Sequence, residues 1–167
     1  LAPADTPAGL HLDREAGAVR GGRLWMDMKT FTGEITRQTK GNSHVVNITQ
    51  DVQALIRQSG IREGQLTAMV IGSTAALTTL EFEPGLVNTD VAAMMERIAP
   101  EDGAYVHEAT WGDDNGHSHL RAALMGPSLA MPVVDGHAPL GTWQQVVLVD
   151  FDTRPRQRRV VVNIIGE

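Results

Sequence analysis

The 167-residue sequence contains no cysteine. That excludes disulfides, thiolate metal sites and cysteine nucleophiles, and it fits a reducing cytoplasm, the expected location. Aromatic residues make up only 4% of the chain, so a core has to be built from Val, Ile, Leu, Ala and Met. No apolar run approaches the roughly 20 residues that a membrane-spanning helix needs, and no membrane partner is expected. Residues 1–24 lack the apolar h-region of a secretory signal. Positive charge is also short: 14 Lys and Arg stand against 20 Asp and Glu, a formal net charge of -6. A general nucleic-acid binder needs a basic face for phosphates, so nucleic acid is not expected as a partner either. Neither a phosphate-binding glycine loop, a dinucleotide fingerprint nor a nucleophile elbow occurs.

What the chain does have is one stretch, residues 105–144, that concentrates groups able to bind a metal or move a proton. His107, His117 and His119 fall within it, beside Asp113 and Asp114. Imidazole is a common neutral metal ligand that titrates near neutral pH. A three-ligand zinc site leaves a fourth position open for water or substrate. His117 and His119 share a face only if their segment is extended; on a helix they diverge by about 200°. Spacing alone leaves open a metal site or surface and hydrogen-bonded histidines. Asp113 and Asp114 are hard oxygen ligands for Mg²⁺ beside a phosphate, or a solvated acidic turn. Glu81, in an otherwise apolar run, is either an outward strand residue or a site carboxylate. Arg121 follows the histidines and could bind a phosphate. Ser73 and Thr74, at a strand break, could offer hydroxyls to the same ligand. Trp143 reads either as packing or as a ligand platform.

The length suits one domain. Residues 1–25, rich in Ala, Gly, Pro and charge, read as an irregular N-terminal extension, and 26–167 as the domain. Residues 29–39 alternate as a strand. A turn at 40–43 leads to a second strand at 44–48, and the pair reads as a hairpin. Thr49 can cap a helix over 50–59 that Gly60 stops. Strands follow at 66–71 and 75–82. Val87, Val91, Met94, Met95 and Ile98 make a core-facing helical stripe. Residues 101–115 read as loop and 117–125 as a short helix. A strand at 128–134 meets the Asp135-Gly136 hairpin signal and a return strand at 141–151. Residues 152–157 form a basic turn, and 158–165 close the sheet. Arg154, Arg156, Arg158 and Arg159 read as a solvated turn and strand face. The sum is an α+β domain, mainly antiparallel sheet in two layers, with about three helices.

Several separated motifs also occur in the order found in the YjbQ family, which the chain resembles over residues 28–167. They are Ser73-Thr74-Ala75-Ala76-Leu77-Thr78 with Glu81, then Tyr105 and His107, then Asp113-Asp114-Asn115 with His119. Residues 122–133 follow, then Asp135-Gly136, Leu140-Gly141-Thr142-Trp143-Gln144, and the finish Arg158-Arg159 with Gly166-Glu167. The resemblance implies a small α+β fold assembling as a homotrimer, with pockets near subunit boundaries. It implies secondary thiamine-phosphate synthase activity: an aminopyrimidine diphosphate joined to a thiazole phosphate, with pyrophosphate released. It also implies a histidine-held metal. One position departs. The family usually carries a histidine just before the two hydroxyl residues, where this chain has Gly72.

The expected function is therefore a divalent-metal-dependent enzyme, with zinc or magnesium, acting on a phosphorylated small molecule. His107, His117, His119 and Asp114 are the expected ligands. His107 and His119 are expected to be catalytic together with Glu81, a general base or supporting carboxylate. Ser73, Thr74, Arg121, Thr142, Trp143 and Gln144 are the expected substrate contacts. Two alternatives use the same residues: a metal-assisted phosphoester hydrolase, and a non-catalytic trimeric small-molecule binder suited to the loss at Gly72.

Overall fold

A computed structural model describes residues 28–167; the expected extension over 1–25 lies outside the described residues. Among the described residues, seven strands form two wholly antiparallel sheets. The four-stranded sheet has the order β1 (Lys29–Thr39), β7 (Arg156–Gly166), β3 (Gly64–Ile71), β5 (Ser128–Val133). The three-stranded sheet has the order β2 (His44–Asn47), β6 (Gln144–Asp150), β4 (Ala75–Glu81).

Alternation decides which side of each strand is buried. In β3 and β7, Leu66, Ala68, Val70, Val160, Val162 and Ile164 point inward and are fully buried. They meet Ala75, Leu77, Val146 and Leu148 from the smaller sheet, with α1 (Thr49–Ser59) adding Val52 and Ile56. The unbroken apolar run Val146–Val149 marks β6 as a strand buried on both faces. On its second face Val147 and Val149 join Ala76, Val45 and Phe151 beneath two further helices, α2 (Val91–Ile98) and α4 (Gly116–Met125). The single domain is thus a two-sheet sandwich with helices on the outer side of the smaller sheet.

Neither expected hairpin forms. β1 pairs with β7, and β2 with β6, in different sheets. Gly41, Asn42 and Ser43 all take positive φ, so this turn swings the chain between the layers rather than reversing it. Asn42 N donates to Asp152 O at 2.7 Å and pins the crossing. Likewise the Asp135-Gly136 turn holds only the bridge between Val134 and His137. β5 then pairs with β3, while β6, starting at Gln144, belongs to the other sheet. Thr49 is not a helix cap. Asn47 Oδ1 accepts from Thr49 N, and the Thr49 hydroxyl is exchanged with the backbone of Val146.

A π-helical turn (Leu86–Asp90) precedes α2. Of the expected stripe only Val91 and Met95 are buried; Met94 and Ile98 are exposed. As part of the outermost layer, α2 has one neighbour to face, so one narrow line of side chains suffices. The polar stretch 101–115 contains an additional one-turn helix, α3 (Glu108–Trp111).

Candidate functional site

Tyr105 folds the polar loop back over the start of α4. Its hydroxyl donates to Pro100 O at 2.6 Å. Its ring lies against Gly116, where an added Cβ would meet Tyr105 Cβ at 2.5 Å. This clamp carries His107 to His119: their ring centroids are 4.7 Å apart, edge to face. His107 Nε2 lies 3.1 Å from Asn115 Oδ1 and 3.4 Å from Asp113 Oδ1. Asp113 Oδ1 is sealed from solvent and has no hydrogen-bond partner. A buried carboxylate oxygen without a donor is costly, and this one sits beside the His107 imidazole, whose ring in turn meets that of His119.

The remaining expected ligands point elsewhere. His117 occupies the opposite side of α4, as the helical divergence requires. It is 1% exposed, 6.2 Å from the Tyr105 ring and 3.3 Å from Ser118 Oγ. Its Nδ1 has no partner. Burial holds its pKa below the ordinary histidine value, and the positive charge of Arg121 adds to that. Asp114 turns to the Thr153 hydroxyl at 3.4 Å. It is Asp113, not Asp114, that faces His107.

Arg121 is buried and already engaged. Its Nε donates to Ala99 O at 2.9 Å and its Nη2 to Glu96 at 2.5 Å. Thus α4 buries His117, Ser118 and Arg121, the last bonded to the end of α2, while Leu120 and Leu124 are 54% and 60% exposed. Trp143 is 71% exposed, so it does not pack into this chain's core. Thr142 is exposed as well. Gln144 Nε2 donates to Thr79 Oγ1 at 2.8 Å.

Position along β4 separates the expected substrate contacts into two groups. Thr74 precedes the end paired with Asp150, and Glu81 pairs with Gln144 at the other end. Six residue steps of strand put these ends about 20 Å apart. The Thr153–Asp114 contact places the histidine loop at the Thr74 end. Glu81, Thr142, Trp143 and Gln144 therefore do not join the histidines within one chain.

Arg154 and Arg159 are exposed, as expected of a solvated arginine face, but Arg158 is not: the Thr74 end holds a buried charge network around it. Arg158, 7% exposed, donates from Nε and Nη2 to the two oxygens of Asp150 at 2.8 and 2.7 Å. Its Nη2 also reaches Thr74 Oγ1 at 2.7 Å. Arg156 pairs with Asp152 at 2.9 and 3.2 Å, and Thr74 donates to Asp152 at 2.9 Å. Burial works against the charge on Asp152, but Arg156, Thr74 and Arg158 together hold its pKa below the ordinary carboxylate value. Thr39 closes the network onto Asp150. The signal was present in the sequence: Arg158 has the same parity as Val160, Val162 and Ile164, so alternation sends it inward. Arg159, one residue on, pairs with Glu34 on the exposed face.

As they stand, no three His, Asp or Glu side chains among the described residues are gathered to chelate an ion. The donor types nonetheless suit a divalent cation. Two imidazoles favour a zinc-type ion over magnesium, and the orphaned Asp113 oxygen offers the charge. His107, His119 and Asp113 would be the holding set.

The family model described as UPF0047 protein YjbQ-like matches residues 33–167. A UPF0047 protein of Methanothermobacter thermautotrophicus is 37% identical over 140 residues, covering 84% of this chain and 95% of the relative. One from Synechocystis is 37% identical over 129 residues, covering 77% and 87%. A crystal structure of a YbjQ-like protein of unknown function from Sulfolobus solfataricus matches with TM-score 0.79 and 33% identity, covering 84% of this chain and all of that one. A hypothetical protein from Aeropyrum pernix gives TM-score 0.76 and 32% identity, with 82% and 99% covered. With motifs, fold and relatives agreeing over most of its length, the chain belongs to the YjbQ-like UPF0047 family.

Proposed function

We propose that the chain is a metal-dependent enzyme acting on phosphorylated small molecules, of the secondary thiamine-phosphate synthase type. The observation that carries this reading is the His107–His119 pair with the unpartnered Asp113 oxygen beside it. A bound divalent ion would supply charge neutralisation for a departing pyrophosphate. This chain's residues would hold that ion and orient the diphosphate toward it. In the reaction, the C–O bond between the pyrimidine methylene and the diphosphate breaks, and its electron pair leaves with pyrophosphate. The thiazole nitrogen lone pair forms the new C–N bond. That nitrogen carries no proton, so the step needs no general base. Glu81, remote from the histidines within one chain, is consistent with a supporting role only.

The split along β4 also supports assembly. In a homotrimer, the Glu81–Gln144 end of a neighbouring copy could close the pocket, with Trp143 and the exposed leucines of α4 at the boundary. One observation favours a second reading, a small-molecule binder without turnover: Gly72 has no side chain to ligate or donate.

Purified protein supplied with zinc or magnesium, the aminopyrimidine diphosphate and the thiazole phosphate should form thiamine phosphate and pyrophosphate. His107→Ala and His119→Ala should each lose more than the roughly 10–100-fold that follows removal of a group merely supporting a metal ligand. Absence of product with every divalent metal tried, or full activity in both variants, would overturn the enzymatic reading. Zinc titration of the metal-free protein, with and without these substitutions, tests the holding set separately.

A further inference from the structure

Gly72 has φ +138, and a Cβ built on it would lie 2.7 Å from Arg158 Nη1. The space in which a side chain at position 72 would begin is therefore the space that one guanidinium nitrogen faces. The rest of that guanidinium is committed: Nε and Nη2 serve Asp150, Thr74 and Asp152. Nη1 has no hydrogen-bond partner among the described residues, and it is not among the sealed polar atoms. So a side chain more than nine-tenths buried presents a rigidly held donor to an opening at an exposed glycine. Ser73, the next residue along the chain, is exposed as well and carries a hydroxyl.

We propose that Arg158 Nη1, with the neighbouring Ser73 hydroxyl, forms an oxyanion subsite in the gap over Gly72 that takes a phosphate oxygen of the ligand. Three features support it. Guanidinium donors fixed in plane match phosphate geometry, and charge-assisted bonds of this kind are the strong ones. Asp150 and Asp152 are balanced by Arg156 and Arg158, so an arriving oxyanion meets a neutral cluster, not an uncompensated negative one. Asp152 abuts Thr153, which contacts Asp114 of the histidine loop, so the subsite lies at the same end of the sandwich as His107 and His119. The choice of phosphate rests on the reading of a phosphorylated substrate above; the free donor does not. On this account Gly72 is no simple loss: removing the side chain exposes a different, permanently charged donor.

The test is a titration of metal-free protein with inorganic phosphate, against chloride at matched ionic strength, following the guanidinium NMR signals of Arg158. Those signals should shift saturably with phosphate only. Ser73→Ala should weaken binding at least about threefold, the loss of one hydrogen bond. Gly72→Ala, whose Cβ would sit 2.7 Å from Nη1 at a φ that side chains rarely take, crowds the donor out of the gap and should abolish it. Unmoved Arg158 signals in the wild-type protein would overturn the proposal. So would a Gly72→Ala protein, folded by its amide spectrum, that binds phosphate as the wild type does. If that variant does not fold, the wild-type guanidinium titration decides alone. No metal or turnover enters the measurement, so its failure and that of the enzymatic reading are separable.

Discussion

Replacing Arg158 with leucine removes the centre of the buried network and keeps the alternation of β7. The loss falls on Asp150, which is fully buried and receives both Nε and Nη2 of Arg158. Only the Thr39 hydroxyl and the Asp152 amide then remain to it. Stranding one charge of a buried pair costs about 3–5 kcal/mol. That is a large share of the roughly 5–15 kcal/mol that holds a domain together. It corresponds to a fall in melting temperature of roughly 6–20 °C. Arg159→Leu is the control, adjacent in sequence and opposite in environment. Its partner Glu34 is on the exposed face, where solvent screening leaves an ion pair little to contribute. Urea unfolding at one fixed protein concentration, read by circular dichroism, compares the two. If Arg158→Leu is no more destabilising than Arg159→Leu, the network is not the structural device argued for here.

His117 should make stability fall as pH drops from 7 toward 5. Its folded pKa lies below the unfolded value of about 6.5, because burial and Arg121 disfavour the imidazolium. The unfolded chain therefore takes up the proton first, and stability is lost as pH falls below the unfolded pKa. His44 is shifted the same way by burial and Lys40, so His117→Gln in metal-free protein should flatten the dependence in part, as denaturant midpoints across this range would show; an unchanged slope counts against it. Gly64→Ala should cost about 1–3 kcal/mol by overpacking, since its Cβ would run into the Ile165 carbonyl and the backbone of Gly166. Gly60→Ala meets open space and should show only the left-handed backbone penalty of about 1–2 kcal/mol; equal effects of crowding and backbone would show as Gly64→Ala falling at or below it. Leu120→Gln with Leu124→Gln should shift a dilute monomer by no more than about 0.5 kcal/mol and, if the chain assembles as proposed, lower its mass in sedimentation, whereas an unchanged mass would count against α4 at a subunit boundary.

Local pattern revealed the elements more readily than their partners. Alternation in 29–39 and 158–165 and the apolar run at 146–149 mark real strands, and Gly60 stops α1 through a left-handed φ of 66°. Pairing was harder to read because the usual turn signals here connect different sheets. Asp135-Gly136 adopts its turn, but the chain leaves after one bridge. At Gly41–Ser43 three successive positive φ values send the chain across the sandwich, a consequence of contacts to Asp152 more than a hundred residues away. The composition of α4 was misleading in a different way. Apolarity suggests that Leu120 and Leu124 face inward, yet the buried side carries His117, Ser118 and Arg121: Glu96 and Ala99 of the facing segment accept from the Arg121 guanidinium, and Ser118 Oγ lies against the His117 ring.

The same distinction governs the candidate site. Histidine content pointed to this loop, but only the Tyr105 clamp decides that His107 meets His119 and that His117 does not. Parity alone could have placed Arg158 inside; its basic surroundings argued the other way. The deepest consequence concerns Gly72. Read as a sequence, it is a ligand missing from a family motif. In the fold, a histidine there would have to adopt a φ that side chains rarely take and displace a guanidinium already bonded to Asp150, Thr74 and Asp152. Restoring the family residue by Gly72→His should therefore fail to create a metal ligand and should destabilise the chain. Zinc affinity measured alongside urea stability would show this. Tighter zinc binding at undiminished stability would mean that Arg158 yields its place, and that the gap is a lost ligand after all.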